Sequence, residues 1–152
     1  MRSSAASDVY KRQANNHYVF EITETIEMDQ IPAVQNVFKE FVKNEFRFAI
    51  DDFGTGYSNY GYMRDRTFDI VKVDRSFVTD IDKLKDNYLM VSFIIKMAHE
   101  MGLHVCIEGV ETKEELSCVK KLGADYIQGY YYGKPVCLQD FEEQHLKRFV
   151  LG

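Results

Sequence analysis

Two adjacent carboxylates, Asp51 and Asp52, close an apolar run and open the loop D-D-F-G-T-G. Two further acids, Glu21 and Glu108, also stand at the ends of short apolar runs. If those ends converge, four negative charges share one pocket, and only cations make that tolerable. Oxygen donors without His or Cys nearby suit Mg²⁺, Mn²⁺ or Ca²⁺ rather than zinc. A carboxylate bridging two such ions is the usual arrangement for cleaving a phosphodiester. The plainer alternative is that Asp51 and Asp52 cap the following turn through Asx hydrogen bonds. Lys72 lies inside I-V-K-V, where it either snorkels to water from an edge or faces the acids. Beside metal-held carboxylates it could orient or help deprotonate an attacking water, and their attraction would keep it charged. Glu24, three residues beyond Glu21, either holds the backbone of the next loop or is the acid of a helix's first turn. Gln128 ends a fifth run. Tyr130, Tyr131 and Tyr132 offer faces for stacking bases or fill a rim, and His17, His99, His104 and His145 share no ligand spacing.

The secondary structure that carries these residues is legible from periodicity. Strands are predicted at 17–22, 46–50, 70–73, 104–107 and 125–128, rich in β-branched and aromatic residues. Between them, Ile31, Val34, Val37, Phe38, Phe41 and Val42 fall at helical spacing. So do Leu89, Phe93, Ile94, Met97 and Met101, ending at Gly102, and Leu116, Val119 and Leu122, ending at Gly123. A short helical stretch is expected over 59–65, and a terminal helix is expected from Phe141, Leu146 and Phe149. Strands alternating with helices imply a parallel sheet, either doubly wound or a (β/α)8 barrel. The polar residues at the strand ends favour the barrel, where such ends share one mouth. Period-two alternation places Ala49, Asp51, Ile70, Lys72, Asp74, Cys106 and Glu108 inward, opposite Phe48, Ile50, Val71, Val73, Val105 and Ile107.

The chain has 152 residues, the length of one domain, with 45% apolar and 28% charged residues, a composition that excludes disorder. No apolar run approaches the roughly 20 residues of a membrane span, and no signal-peptide core follows Met1, so a cytoplasmic location is expected. Cys106, Cys118 and Cys137 form no metal knuckle and an odd set for disulfides. The net charge of −5 argues against DNA binding. Residues 1–13 are polar and aperiodic and resemble a tag or assembly scar, or else a flexible native arm. Without their three cations and one acid the remainder is still more acidic.

Five ordered motifs carry a family resemblance: F-E-I-T-E at 20–24, D-D-F-G-T-G-Y-S at 51–58, V-K-V-D-R-S-F-V at 71–78, I-E-G-V-E-T at 107–112 and Q-G-Y-Y-Y-G-K-P at 128–135. Together they resemble EAL domains, the bacterial cyclic-di-GMP phosphodiesterases. The resemblance implies a modified TIM (β/α)8 barrel and hydrolysis of cyclic di-GMP to linear pGpG with two Mg²⁺ or Mn²⁺ ions. It assigns Glu21, Asp51 and Asp52 to the metals, with Asp51 bridging them, and Lys72 to the catalytic water. It places Glu108 near the second metal with Glu111 as its companion, Gln128 near water and substrate, and Glu24 as the brace of the D-D-F-G loop.

Residues 14–152 then read as a partial domain of about the last five βα units. The E-A-L tripeptide and the strand bearing the family's asparagine ligand do not occur in the sequence, so this chain alone is expected to be inactive. An intact parent is open to homodimerisation, to sensory or GGDEF-type domains, and to a membrane anchor outside this chain. Two other readings compete. One is a degenerate EAL-like module that binds cyclic di-GMP or a protein, which the retained acids and Lys72 oppose. The other is a receiver-like domain, in which E-G-V-E-T and Q-G-Y have no role.

Overall fold

The computed structural model describes residues 15, 18–23, 32–55 and 68–143, with side chains of the first helix from residue 36. Five strands form one wholly parallel sheet: β1 (Val19–Thr23), β2 (Arg47–Phe53), β3 (Ile70–Val73), β4 (His104–Ile107) and β5 (Tyr126–Ile127). Their spatial order is their chain order. The helices are α1 (Pro32–Lys43), α2 (Lys85–Glu100), α3 (Lys113–Leu122) and a short α4 (Leu138–Phe141), with a 3₁₀ turn at Arg75–Phe77. The predicted bounds of β3 and β4 hold as stated. The predicted helical stretch over 59–65 and the positions of Leu146 and Phe149 lie outside the described residues.

The expected alternation is observed. Phe48, Ile50, Val71, Val73, Val105 and Ile107 belong to one buried cluster with the helices. Val71, Val73, Val105 and Ile107 are fully buried, each worth about 1.5–3 kcal/mol. Phe20 extends this layer, its ring 5.1 Å from Phe41 and 5.4 Å from Phe46. Ala49, Ile70, Lys72, Cys106 and Glu108 are left on the opposite face.

The helix stripes need one correction. In α2 the buried residues are Val91, Ile94, Ile95 and Ala98, whereas Leu89, Phe93 and Met101 are exposed. Apolar residues lie on two sides of this helix, so periodicity alone allowed two stripes, and contact with the sheet selects the one containing Val91 and Ala98. In α1 likewise, Phe38 and Phe41 pack on the core while Val37 and Val42 are exposed. Helix ends follow local chemistry: Pro32 begins α1, Thr112 and Glu115 form a capping box at α3, and Gly123 ends α3 with φ 89°.

Candidate functional site

Parallel register brings the polar strand ends to one mouth. Thr23 lies beside Asp51, Ala49 beside Ile70, and Lys72 beside Cys106. Glu21 on β1, Asp51 on β2, Lys72 on β3 and Glu108 just beyond β4 therefore stand on the same side of four neighbouring strands.

Asp52 breaks the alternation. A residue next to Asp51 in a regular strand would point to the other face, toward the helices. The β2–β3 pairing instead shifts register between Ile50 and Phe53, and Asp52 takes φ 53°. This irregularity re-aims the side chain, a recurrent use of bulges beside active sites. As a result, oxygens of Asp51, Asp52 and Glu108 all lie within 4.8 Å of one another, with Asp52 exposed and the other two half-buried. The donors are hard oxygens throughout, which fits Mg²⁺, Mn²⁺ or Ca²⁺ and not a thiophilic metal.

Lys72 sits at the centre of the acids. Its Nζ is 2.8 Å from Glu21 Oε2, 2.8 Å from Asp51 Oδ1 and 2.9 Å from Glu108 Oε1, with its side chain only 8% exposed. Burial opposes the charge, but hydrogen bonds to Asp51, Glu21 and Glu108 outweigh it and hold the ammonium well above the ordinary lysine range. Cys106, beside Lys72 on the same face, is pushed up to about 11 by burial and then by the Glu108 charge.

The remaining predicted site residues are less convergent. Glu111 is 3.8 Å from Arg75 across an exposed gap. Gln128 bonds through its backbone, donating to Ile107 and accepting from Val110. Its side chain is exposed on a cleft shared with Tyr130, Tyr132, Lys134 and Phe141. Tyr130 stacks under the Lys134 ammonium at 5.3 Å, and Tyr131 meets Tyr132 edge-on. Glu24 lies outside the described residues. Asp74, expected inward, instead caps the 3₁₀ turn, accepting from the Ser76 amide at 2.9 Å. Strand β3 ends at Val73, so alternation no longer governs Asp74.

One residue that the motifs did not single out is built into the mouth. Glu115 is 5% exposed. Its carboxylate accepts from the amides of Glu111 at 2.9 Å, Thr112 at 3.0 Å and Asp80 at 3.1 Å. The available signal was T-K-E-E at 112–115, a capping box.

The described helices include none long and apolar enough to cross a membrane. The family model described as EAL domain matches residues 2–135. Cyclic di-GMP phosphodiesterase PdeL of Escherichia coli (strain K12) is 35% identical over 120 residues, 78% of this chain and 33% of the relative. The solved structure of EAL enzyme Bd1971, in a form with cAMP and cyclic-di-GMP bound, superposes with TM-score 0.78 at 36% identity, covering 85% of this chain and 34% of that one. The Klebsiella pneumoniae BlrP1 manganese/cy-diGMP complex superposes with TM-score 0.71 at 26% identity, covering 87% and 36%. The chain thus spans about a third of each of these proteins. Its five parallel strands are the part it covers of the TIM-barrel-like fold of those enzymes. A mouth of convergent acids, five ordered motifs and these likenesses agree: the chain belongs to the EAL domain family.

Proposed function

We propose that this site, completed by the rest of its barrel, hydrolyses cyclic di-GMP to linear pGpG. The observation that carries the reading is the convergence of Asp51, Asp52 and Glu108 around one small volume, with Lys72 tethered to Asp51 and Glu108. Three carboxylates on one ammonium, with Asp52 as a fourth acid beside them, leave an excess of negative charge, which suits cations and does not suit a bare phosphate ligand. Asp51, Asp52 and Glu21 would hold two Mg²⁺ or Mn²⁺ ions, with Glu108 able to contribute. Such ions, when bound, polarise phosphoryl oxygens and lower the pKa of a water. Lys72 is held charged and fixed by three hydrogen bonds, so it can orient the attacking water but is a poor base. Gln128 would contact water and substrate, Glu111 would support Glu108, and Glu24 would brace the D-D-F-G loop. In the overall step water adds to phosphorus, one ester oxygen leaves with a proton, and the ring opens.

Residues 14–152 form, in this proposal, a partial EAL domain that does not turn over alone. Among the described residues β1 and β5 are the end strands of the sheet, and in this proposal further strands complete the barrel around the site. The test compares this chain with a domain rebuilt with the remaining strands, each given Mn²⁺ and cyclic di-GMP. The rebuilt domain should release pGpG, this chain should not, and Asp51→Asn in the rebuilt domain should lower turnover by about 10²-fold or more. Near-normal turnover of that variant would remove Asp51 from the site.

A further inference from the structure

Glu108 must hold its carboxylate against Asp51, Asp52 and Lys72, yet it lies beyond the last residue of β4, where the ladder no longer supports it. The loop from Glu108 to Thr112 is instead tacked down at every residue. The Glu108 amide donates to Val73 at 3.1 Å, and Val110 is fully buried and donates to Gln128 at 3.2 Å. Gly109, at φ 72°, packs so closely on Arg75 that a Cβ there would lie 2.3 Å from the Arg75 Cβ. The next two amides, Glu111 and Thr112, both end on Glu115 Oε2. The other oxygen, Oε1, accepts from Asp80 in the segment between β3 and α2. One buried carboxylate therefore joins the loop after the Lys72 strand to the loop that carries Glu108.

We propose that Glu115 is a positioning residue, which clips these two loops together and thereby sets the affinity of the Asp51, Asp52 and Glu108 cluster for a divalent cation. This rests on the metal-binding reading of that cluster. The geometry explains why the clip is a glutamate. Two acceptor oxygens meet three donors from opposite sides, and the burial that would disfavour the charge is outweighed by those hydrogen bonds. A glutamine would turn an NH₂ toward one of the donors and leave a part-buried amide without its acceptor. The Thr112 hydroxyl, which accepts from the Glu115 amide at 3.2 Å, belongs to the helix cap and not to the clip. Removing it separates capping from clipping.

The experiment uses the full 152-residue chain with Mn²⁺ as probe, measuring affinity by titration calorimetry and amide exchange by mass spectrometry with electron-transfer fragmentation. Glu115→Gln should weaken Mn²⁺ binding about 10- to 100-fold, the usual effect of losing a group that orients ligands. It should also speed exchange at Asp80, Glu111 and Thr112. Thr112→Ala should change Mn²⁺ affinity by less than about threefold, which a merely structural role for the α3 cap would not predict. Because coupling is reciprocal, Mn²⁺ added to the unaltered chain should slow exchange at the Asp80 amide, which stands on the other loop. That arm needs no variant to fold. Wild-type affinity in Glu115→Gln, or an Asp80 amide indifferent to Mn²⁺ that binds, overturns the clip. Failure of the unaltered chain to bind Mn²⁺ at all overturns the clip's metal role, whereas the site reading stands or falls on turnover of the rebuilt domain.

Discussion

Asp69 and Asp125 make the same two-bond lock at the start of two different strands. The Asp69 carboxylate accepts from the Phe48 amide at 3.0 Å while its own amide donates to the Phe48 carbonyl. The Asp125 carboxylate accepts from the Val105 amide at 2.7 Å while its amide donates to Val105. Each aspartate thus fastens its strand to the one before it, at the end of the sheet away from the acids.

Asp125 makes the stronger case for measurement, because His99 also meets it at 2.8 Å and His104 at 3.5 Å. Burial opposes its charge, but the His99, Val105 and His104 hydrogen bonds hold the carboxyl below its ordinary range. A lowered folded-state value means stability that is present above the unfolded value of 3.8 and lost as pH falls through the folded one. Asp125→Ala should cost about 1–3 kcal/mol near neutral pH by orphaning the Val105 amide. Urea titrations at pH 6 and pH 3 should show the gap between variant and parent narrowing in acid; a gap that widened would show that the carboxylate is not the stabilising form.

Lys72→Met should behave differently with and without metal. The substitution keeps the buried volume but leaves Glu21, Asp51 and Glu108 without their counter-ion. Without divalent cations the variant should be less stable by about 1–3 kcal/mol, below the range for fully buried pairs because Glu21 is half exposed. Mn²⁺ should restore more stability to the variant than it adds to the parent, as thermal unfolding with and without the ion will read. Equal stabilisation of both would mean that Lys72 and the ion do not share the same acids.

Much of this site was legible, and the unread parts have definite causes. I-V-K-V and H-V-C-I gave their strands because each is a short, mostly apolar run that stops at an acid, and alternation then placed Lys72 with the acids. Alternation failed at Asp52, since a register shift is set by pairing with β3 and leaves no mark in the residue pattern. It failed at Asp74 because the strand had already ended. The face of α2 was ambiguous because Leu89 and Phe93 are as apolar as Val91 and Ile95, and only tertiary contact distinguishes them. Glu115 resembled an ordinary helix cap, and its third partner, Asp80, is 35 residues away.

Gly129→Ala should be among the most damaging small substitutions. An added Cβ would stand 2.1 Å from the Val110 carbonyl oxygen and 2.4 Å from its nitrogen, and neither backbone atom can swing aside. Expected is a loss of about 2 kcal/mol or more, at the upper part of the range for overpacking. Gly123→Ala is the comparison, since no atom lies within 4 Å of its Cβ and only the φ of 89° opposes it. Denaturant midpoints should rank Gly129→Ala below Gly123→Ala; the reverse order would show that the 128–133 loop yields readily.

Thiol labelling should separate the cysteines. Cys137 is exposed, while Cys106 is half-buried and its thiol, at about 11, stays protonated at neutral pH. The thiolate is the reacting species. Iodoacetamide at about pH 7.5 should therefore modify Cys137 well before Cys106, as peptide mass spectrometry over time will show. Modification of Cys106 first would contradict its placement beside the acids.

The spatial order of the strands, which repeats their order along the chain, has a consequence for how the molecule is made. Each described strand after β1 finds its neighbour already synthesised as it emerges from the ribosome, so each of the four described ladders closes over a single crossover. Loop closure of that length is cheap, and domains assemble in the direction of translation. Growth proceeds by addition at one edge, like a wall laid course by course, and the Lys72 ammonium is completed only when β4 delivers Glu108 as the last of its three counter-charges.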